Sequence, residues 1–174
     1  MLLHIGCGRS RIEEFVNIDC RATSTTDLVA PAWDLSAFED STIEYIYARH
    51  TIEHLSFRDA ARSLIEWRRV LCVGGIVHVV VPDILFHARQ LLGLAESSHS
   101  AGQQEHALAG FYGWQNAGDG DEDLHRWGYT PASLERLLVT SGFKITDDGI
   151  AQLTERDCEP WHINMRATKD MASC

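Results

Sequence analysis

Five groups of residues in this chain have the types and placement to do chemistry: Gly6-Cys7-Gly8, Asp19, Asp34, His50 with Glu53-His54, and Asp83. Each closes or closely follows an apolar run, where a strand would end. Glycines at 6 and 8 let the backbone turn tightly and approach a ligand. Asp19, at the end of the next run, stands where a carboxylate accepts both hydroxyls of a ribose. Alone, Gly6-Cys7-Gly8 equally fits a plain turn with Cys7 as a small buried filler. The acid at the following strand end strengthens the ligand reading. Two departures separate the pattern from the dinucleotide fingerprint. Ser10 occupies the third glycine position, and ten residues lie between Gly8 and Asp19, where the fingerprint expects about 20. No helix of more than two turns fits Arg9–Val16, which disfavours a pyrophosphate seated on a long helix N-terminus.

A second group lies in Phe111-Tyr112-Gly113-Trp114 and Asp121-Glu122-Asp123-Leu124-His125-Arg126-Trp127. Aromatic faces beside carboxylates suit a sugar or another flat, hydroxylated acceptor, with Trp114 or Trp127 stacking on it. His125 is the general-base candidate, because an unperturbed imidazole titrates near physiological pH. The plainer reading is a structural loop whose tryptophans plug the sheet edge. Plainer readings also exist for Asp34 as a turn cap, Glu53-His54 as a surface pair, and Asp83 as a helix N-cap. His78 reads as a packed core histidine. His50, His54, Asp83 and His125 lack the helical or hairpin spacing of metal ligands, so no metal site is expected.

These residues need a scaffold that brings strand ends together. Apolar, β-branched runs predict strands at Leu2–Ile5, Phe15–Ile18, Asp27–Val29, Ile43–Ala48 and Ile76–Val81, a pattern suited to a sheet covered on both faces. Ser56 caps a helix that buries Ala60, Leu64, Trp67 and Leu71 and stops at Gly74-Gly75. Thr130-Pro131 opens another that buries Leu134, Leu137 and Leu138. A further helix is expected over Asp83–Leu94, with Leu85, Ala88 and Leu92 in register. The stretch 97–105 reads as a polar connection. Strands around Phe143–Asp147 and His162–Ala167 close the sheet. Alternating β and α elements over one domain, residues 1–174, predict an α/β doubly wound sheet whose ligands sit outside the carboxyl ends of the strands.

Composition narrows the function. The chain has 174 residues and a net charge of −10, which repels phosphate backbones and argues against a nucleic-acid partner. No window holds the 18 or so apolar residues of a membrane span, and the N-terminus has no signal-peptide pattern. Five scattered cysteines without a CxxC pair argue against a disulfide framework and for a cytoplasmic protein with reduced thiols.

The chain resembles the class I S-adenosylmethionine (SAM)-dependent methyltransferases, in particular a short bacterial type often associated with surface-polysaccharide biosynthesis. The matching stretches are Leu3–Gly8, Val16–Asp19, Asp34-Leu35, His50–Leu55, Arg69–Gly75, Val81–Asp83, Leu124–Tyr129 and Ser141–Phe143. The resemblance implies a Rossmann-like, mostly parallel sheet with an antiparallel final strand, and SAM as cofactor. It implies that Gly6 and Gly8, with Cys7 between them, line the methionine moiety and that Asp19 binds the ribose. Asp34 would accept from the adenine amino group, Leu35 would pack on the ring, and His50 would face the methionine end. Glu53, His54, Asp83, Trp114 and Trp127 fall on the acceptor side, with His125 and His50 as catalytic candidates. The chain departs from the pattern at His4, at Cys72-Val73, and in starting directly on the first strand, which makes it compact and truncated at the N-terminus, without lid helices. The implied activity is methyl transfer to a small polar acceptor, such as a sugar or glycan precursor. The alternative is a non-catalytic methyltransferase-fold module for cofactor sensing or protein interaction. A third reading is a metal-dependent hydrolase built on the histidines. An exposed sheet edge leaves room for a homodimer.

Overall fold

The computed structural model describes residues 1–115, 120–146 and 157–170. Among these, seven strands form one sheet: β1 (Leu2–Ile5), β2 (Phe15–Asp19), β3 (Leu28–Val29), β4 (Ile43–Arg49), β5 (Leu71–Pro82), β6 (Phe143–Ile145) and β7 (His162–Lys169). Their order is β3-β2-β1-β4-β5-β7-β6. The first five strands pair in parallel, whereas β7 runs antiparallel to both β5 and β6. Four helices accompany them: α1 (Phe57–Val70), α2 (Ile84–Leu91), α3 (Gln103–Tyr112) and α4 (Pro131–Thr140). The chain winds outward from β1 to β3 and then returns to the other side at β4. The strand order therefore reverses between β1 and β4, and the crevice at their carboxyl ends is the ligand position of such sheets.

Local chemistry explains most boundaries. Ser56 Oγ accepts from Asp59 N and caps α1. Thr130 and Ser133 form a reciprocal capping box, with Pro131 at the first helical position of α4. α1 buries Ala60, Leu64 and Trp67 against the sheet, and the indole N–H of Trp67 donates to Ala32 O at 2.7 Å. The link from β1 to β2 has no helix. The side chain of Asn17, fully buried, does that work instead: Oδ1 accepts from Ile12 N and Nδ2 donates to Ile12 O and Phe15 O. A single amide thus satisfies the backbone of the short return.

Three expectations need correction. The glycine pair does not end α1. The helix stops at Val70, and residues 71–75 already belong to β5, paired through Leu71 with Ile43 before the register shifts. The expected face of α2 is also wrong. His87 and Gln90 are buried, whereas Leu85 and Leu92 are exposed. The stretch read as a polar connection ends in α3, which takes in Phe111 and Tyr112. The edge strands β3 and β6 are only two and three residues long, the kind of short edge that discourages edge-to-edge pairing. No helix among the described residues is long and apolar enough to cross a membrane. Asp147, and residues 116–119 of the aromatic segment, lie outside the described residues.

Candidate functional site

A cavity of about 990 Å³ opens at the carboxyl ends of β1, β2 and β4. Its floor is the Gly6–Gly8 turn. Gly6 has φ +72°, and a Cβ there would collide with the Thr51 side chain, whose Oγ1 donates to Ile5 O at 3.0 Å. Gly6 is therefore required by the protein's own packing. Gly8 has φ +54° and open space where a Cβ would stand, so its bare backbone faces the cavity. Asp19 is 5% exposed. Its Oδ2 accepts from Gly8 N at 2.8 Å and its Oδ1 from Arg21 N at 2.9 Å. The carboxylate thus holds the glycine turn against the end of β2 while lining the cavity. Cys7 is buried there, and burial pushes its thiol pKa up, which leaves it a poor nucleophile.

Asp34 and Leu35, expected at the adenine, lie outside this cavity. Asp34 is exposed and its Oδ1 accepts from Ser36 N, the turn-cap geometry. Leu35 is fully buried in the core. Neither lines the cavity, whose far wall is instead Ala30, Ala32 and Trp33. The turn that carries Asp34 points its side chain outward, a choice made by the backbone and invisible in residue type.

A second cavity, of about 930 Å³, adjoins the first. The two share Gly8, Arg21, Arg49, His50 and His54 in their linings. Seven of the chain's nine histidines line the second cavity, a concentration that the sequence separates by more than a hundred residues. His50 follows β4 in the left-handed region, φ +50°, a conformation uncommon outside glycine and typical of constrained sites. Its Nδ1 lies 3.0 Å from Glu53 Oε1 and its Nε2 lies 3.0 Å from His162 Nε2. His50 Nδ1 donates to the carboxylate, which leaves its Nε2 facing His162. Glu53 is 1% exposed. Burial alone would raise its carboxyl, but the His50 hydrogen bond and the facing imidazoles hold it down to about 2.

His54 and His125 meet across this wall with ring centroids 4.9 Å apart. The segment that carries His125 is pinned to the 3₁₀ turn Ile52–His54, because Arg126 N and Trp127 N both donate to Glu53 O. His125 is held low by burial and is neutral at physiological pH, as a general base must be. Trp114 lines the second cavity and stacks on His99, centroids 5.0 Å apart. His99 stacks in turn on His106 at 4.4 Å. Trp127, the other expected stacking residue, packs instead on Phe57 outside both cavities. Asp83 caps α2 by accepting from Leu85 N and lines neither cavity. His78 is fully buried between Tyr45 and Asn164, as a core histidine. His87, His99, His106, His162, Trp33 and Thr51 were not singled out from the sequence as site residues. Their only signal there is residue type.

The buried imidazoles set an acid limit on stability. Burial, with His87 and His99 beside it, pushes His106 from 6.5 down to about 4. Burial also lowers His4 and His87. The unfolded chain then binds protons that the native state refuses, so this stability is present above pH 6.5 and drains as pH falls towards about 4. The melting temperature is expected to fall over that window by about 2–4 °C for each kcal/mol lost. A melting temperature that stays flat from neutral pH to the lower limit would contradict the buried, neutral state of these rings.

Residues 3–79 match a family model described as a methyltransferase domain. No curated protein sequence matches the chain. Among solved structures, a SAM-dependent methyltransferase from Methanosarcina mazei superposes with a TM-score of 0.61 at 16% identity, covering 98% of this chain and 92% of that one. One from Archaeoglobus fulgidus gives 0.61 at 16%, with 97% and 85% covered. The Burkholderia thailandensis 1,6-didemethyltoxoflavin-N1-methyltransferase, solved with its substrate and S-adenosylhomocysteine, gives 0.61 at 13%, with 98% and 71% covered. At these identities the structural likeness establishes the Rossmann-like methyltransferase fold.

Proposed function

We propose that this chain transfers the methyl group of SAM to a small polar acceptor, a sugar or glycan precursor, held in the histidine-lined cavity. The carrying observation is the shared wall of the two cavities. Gly8, His50 and His54 line both, so a cofactor in the first would end where an acceptor in the second begins. Asp19 then binds the ribose, and the Gly6–Gly8 turn lies along the methionine moiety. The sulfonium carries an activated methyl, so in-line attack needs mainly positioning. Trp114 and His99 offer the stacking face that a sugar ring takes, and neutral His125 accepts the hydroxyl proton as the new bond forms. His50, oriented by Glu53, is the second candidate for that proton. Reduced thiols and the lack of a spanning helix among the described residues fit a cytoplasmic site of action.

The test is an unbiased metabolite and glycan-precursor screen with methyl-labelled SAM, read by transfer of label. Label on a hydroxylated carbohydrate supports the proposal. Binding of SAM without label transfer to any acceptor favours the non-catalytic module instead. Within the same assay, Gly8→Val is the clean probe of the turn. Its φ costs a non-glycine residue about 1–2 kcal/mol, and its side chain would project into the cofactor cavity. SAM affinity is expected to drop at least about tenfold in a folded protein, each decade being about 1.4 kcal/mol. An unchanged titration would refute the role of the turn. Gly6→Val is unsuitable, since it strikes Thr51 and damages the fold itself.

A further inference from the structure

Glu53, His54 and His125 each offer one ligand atom, and these atoms all lie within 4.8 Å of one another. We infer that the three side chains form a binding site for a first-row divalent metal ion such as Zn²⁺, at the wall of the acceptor cavity. The inference goes beyond methyl transfer and does not need it to be correct.

Three independent features point at a ligand. First, Glu53 is 1% exposed, yet its Oε2 is buried without a hydrogen-bond partner, while Oε1 is taken by His50. An ionised carboxylate oxygen left bare in the interior is costly unless it meets a cation. Second, both imidazoles are oriented as metal ligands are. His54 Nδ1 lies 3.3 Å from Leu124 O and His125 Nδ1 lies 3.0 Å from Gly110 O. A carbonyl only accepts, so both Nδ1 atoms carry a proton, and Nε2 is the ring atom of each that a metal would take. A backbone carbonyl holding the second ring nitrogen is the usual outer partner of a metal-bound histidine. Third, the backbone fixes the set. Arg126 N and Trp127 N donate to Glu53 O at 2.8 and 3.1 Å, which locks the His125 segment onto the turn that carries Glu53 and His54.

The donor set selects the ion. Two imidazoles and one carboxylate are the protein ligands of catalytic zinc and related first-row sites, and His54 and His125 line the second cavity. Mg²⁺ prefers an all-oxygen shell and is excluded by the two nitrogens. Metal–ligand bonds of about 2.0–2.1 Å require the three atoms to draw together from their present spacing of up to 4.8 Å. Bound there, the ion would take the His125 lone pair and offer its own open position to an acceptor hydroxyl.

The experiment uses the full chain stripped with chelator and dialysed against buffered Zn²⁺ or Co²⁺, with bound metal counted by atomic emission. About one equivalent is expected, with a Co²⁺ spectrum free of thiolate charge transfer and no competition from excess Mg²⁺. Glu53→Gln, which keeps shape, and His125→Ala should each weaken binding by about 100-fold or more, at or above the upper end of what losing an outer-shell partner costs. Cys20→Ser/Cys158→Ser, at the exposed thiols, should bind like the parent. Sub-stoichiometric metal in the parent, or full metal in Glu53→Gln and His125→Ala, overturns the site and leaves a bridging water as the partner of Glu53. SAM calorimetry on the same samples reads the cofactor cavity separately, so failure here is distinguishable from failure of the methyltransferase reading.

Discussion

Replacing His125 with alanine is expected to lower kcat for methyl transfer by roughly 10²–10⁴, the usual contribution of a positioned base, with SAM affinity barely changed. The side chain is placed for this role. Burial keeps it neutral, its Nδ1–H is spent on Gly110 O, and it lines the second cavity beside His54, with Glu53 close by. A merely structural role gives a different signature. His125 ties the segment after residue 120 to α3, so loss of that tie would lower cofactor affinity and melting temperature together. Turnover equal to the parent on the true acceptor would rule out both roles. Assays run with and without added Zn²⁺ separate a base from a metal ligand: a base is lost in both, whereas a ligand is lost only where metal raises the parent's rate.

Asp19→Ala is expected to weaken SAM binding ten- to a hundredfold, since charge-assisted hydrogen bonds to the ribose hydroxyls are worth about 1.5–3 kcal/mol. The structure adds a reason for the upper end. Both carboxylate oxygens accept backbone N–H groups, from Gly8 and from Arg21, so the substitution also releases the glycine turn. Asn is expected to be no milder, because its amide nitrogen would face one of these N–H donors and cannot accept. Calorimetry with S-adenosylhomocysteine checks both variants, and equal affinity for Asp19→Ala and the parent would sink the ribose assignment.

What the sequence by itself determined was local. Strand runs such as Leu2–Ile5 and Ile76–Val81 were legible because a strand buried on both faces needs an unbroken apolar run. The Ser56 and Thr130-Pro131 helix starts were legible because caps are chemistry between residues three apart. The glycine turn and Asp19 were legible because one sheet brings consecutive strand ends together. The resemblance supplied the antiparallel final strand. Tertiary structure alone decided the rest. α2 presents His87 and Gln90 inward, not its leucines, because its neighbour α3 offers polar partners. Gly110 lies so close to His87 that a Cβ would strike the ring, and Gln90 bonds His87 and Gln103. Apolar periodicity cannot foresee a buried face built from amides and imidazoles. Asp34 and Trp127 left the site because turn and loop backbones set where a side chain points, and type alone does not. Glu53, His54 and His125 came together through backbone hydrogen bonds between residues more than 70 positions apart, a proximity that no spacing rule encodes.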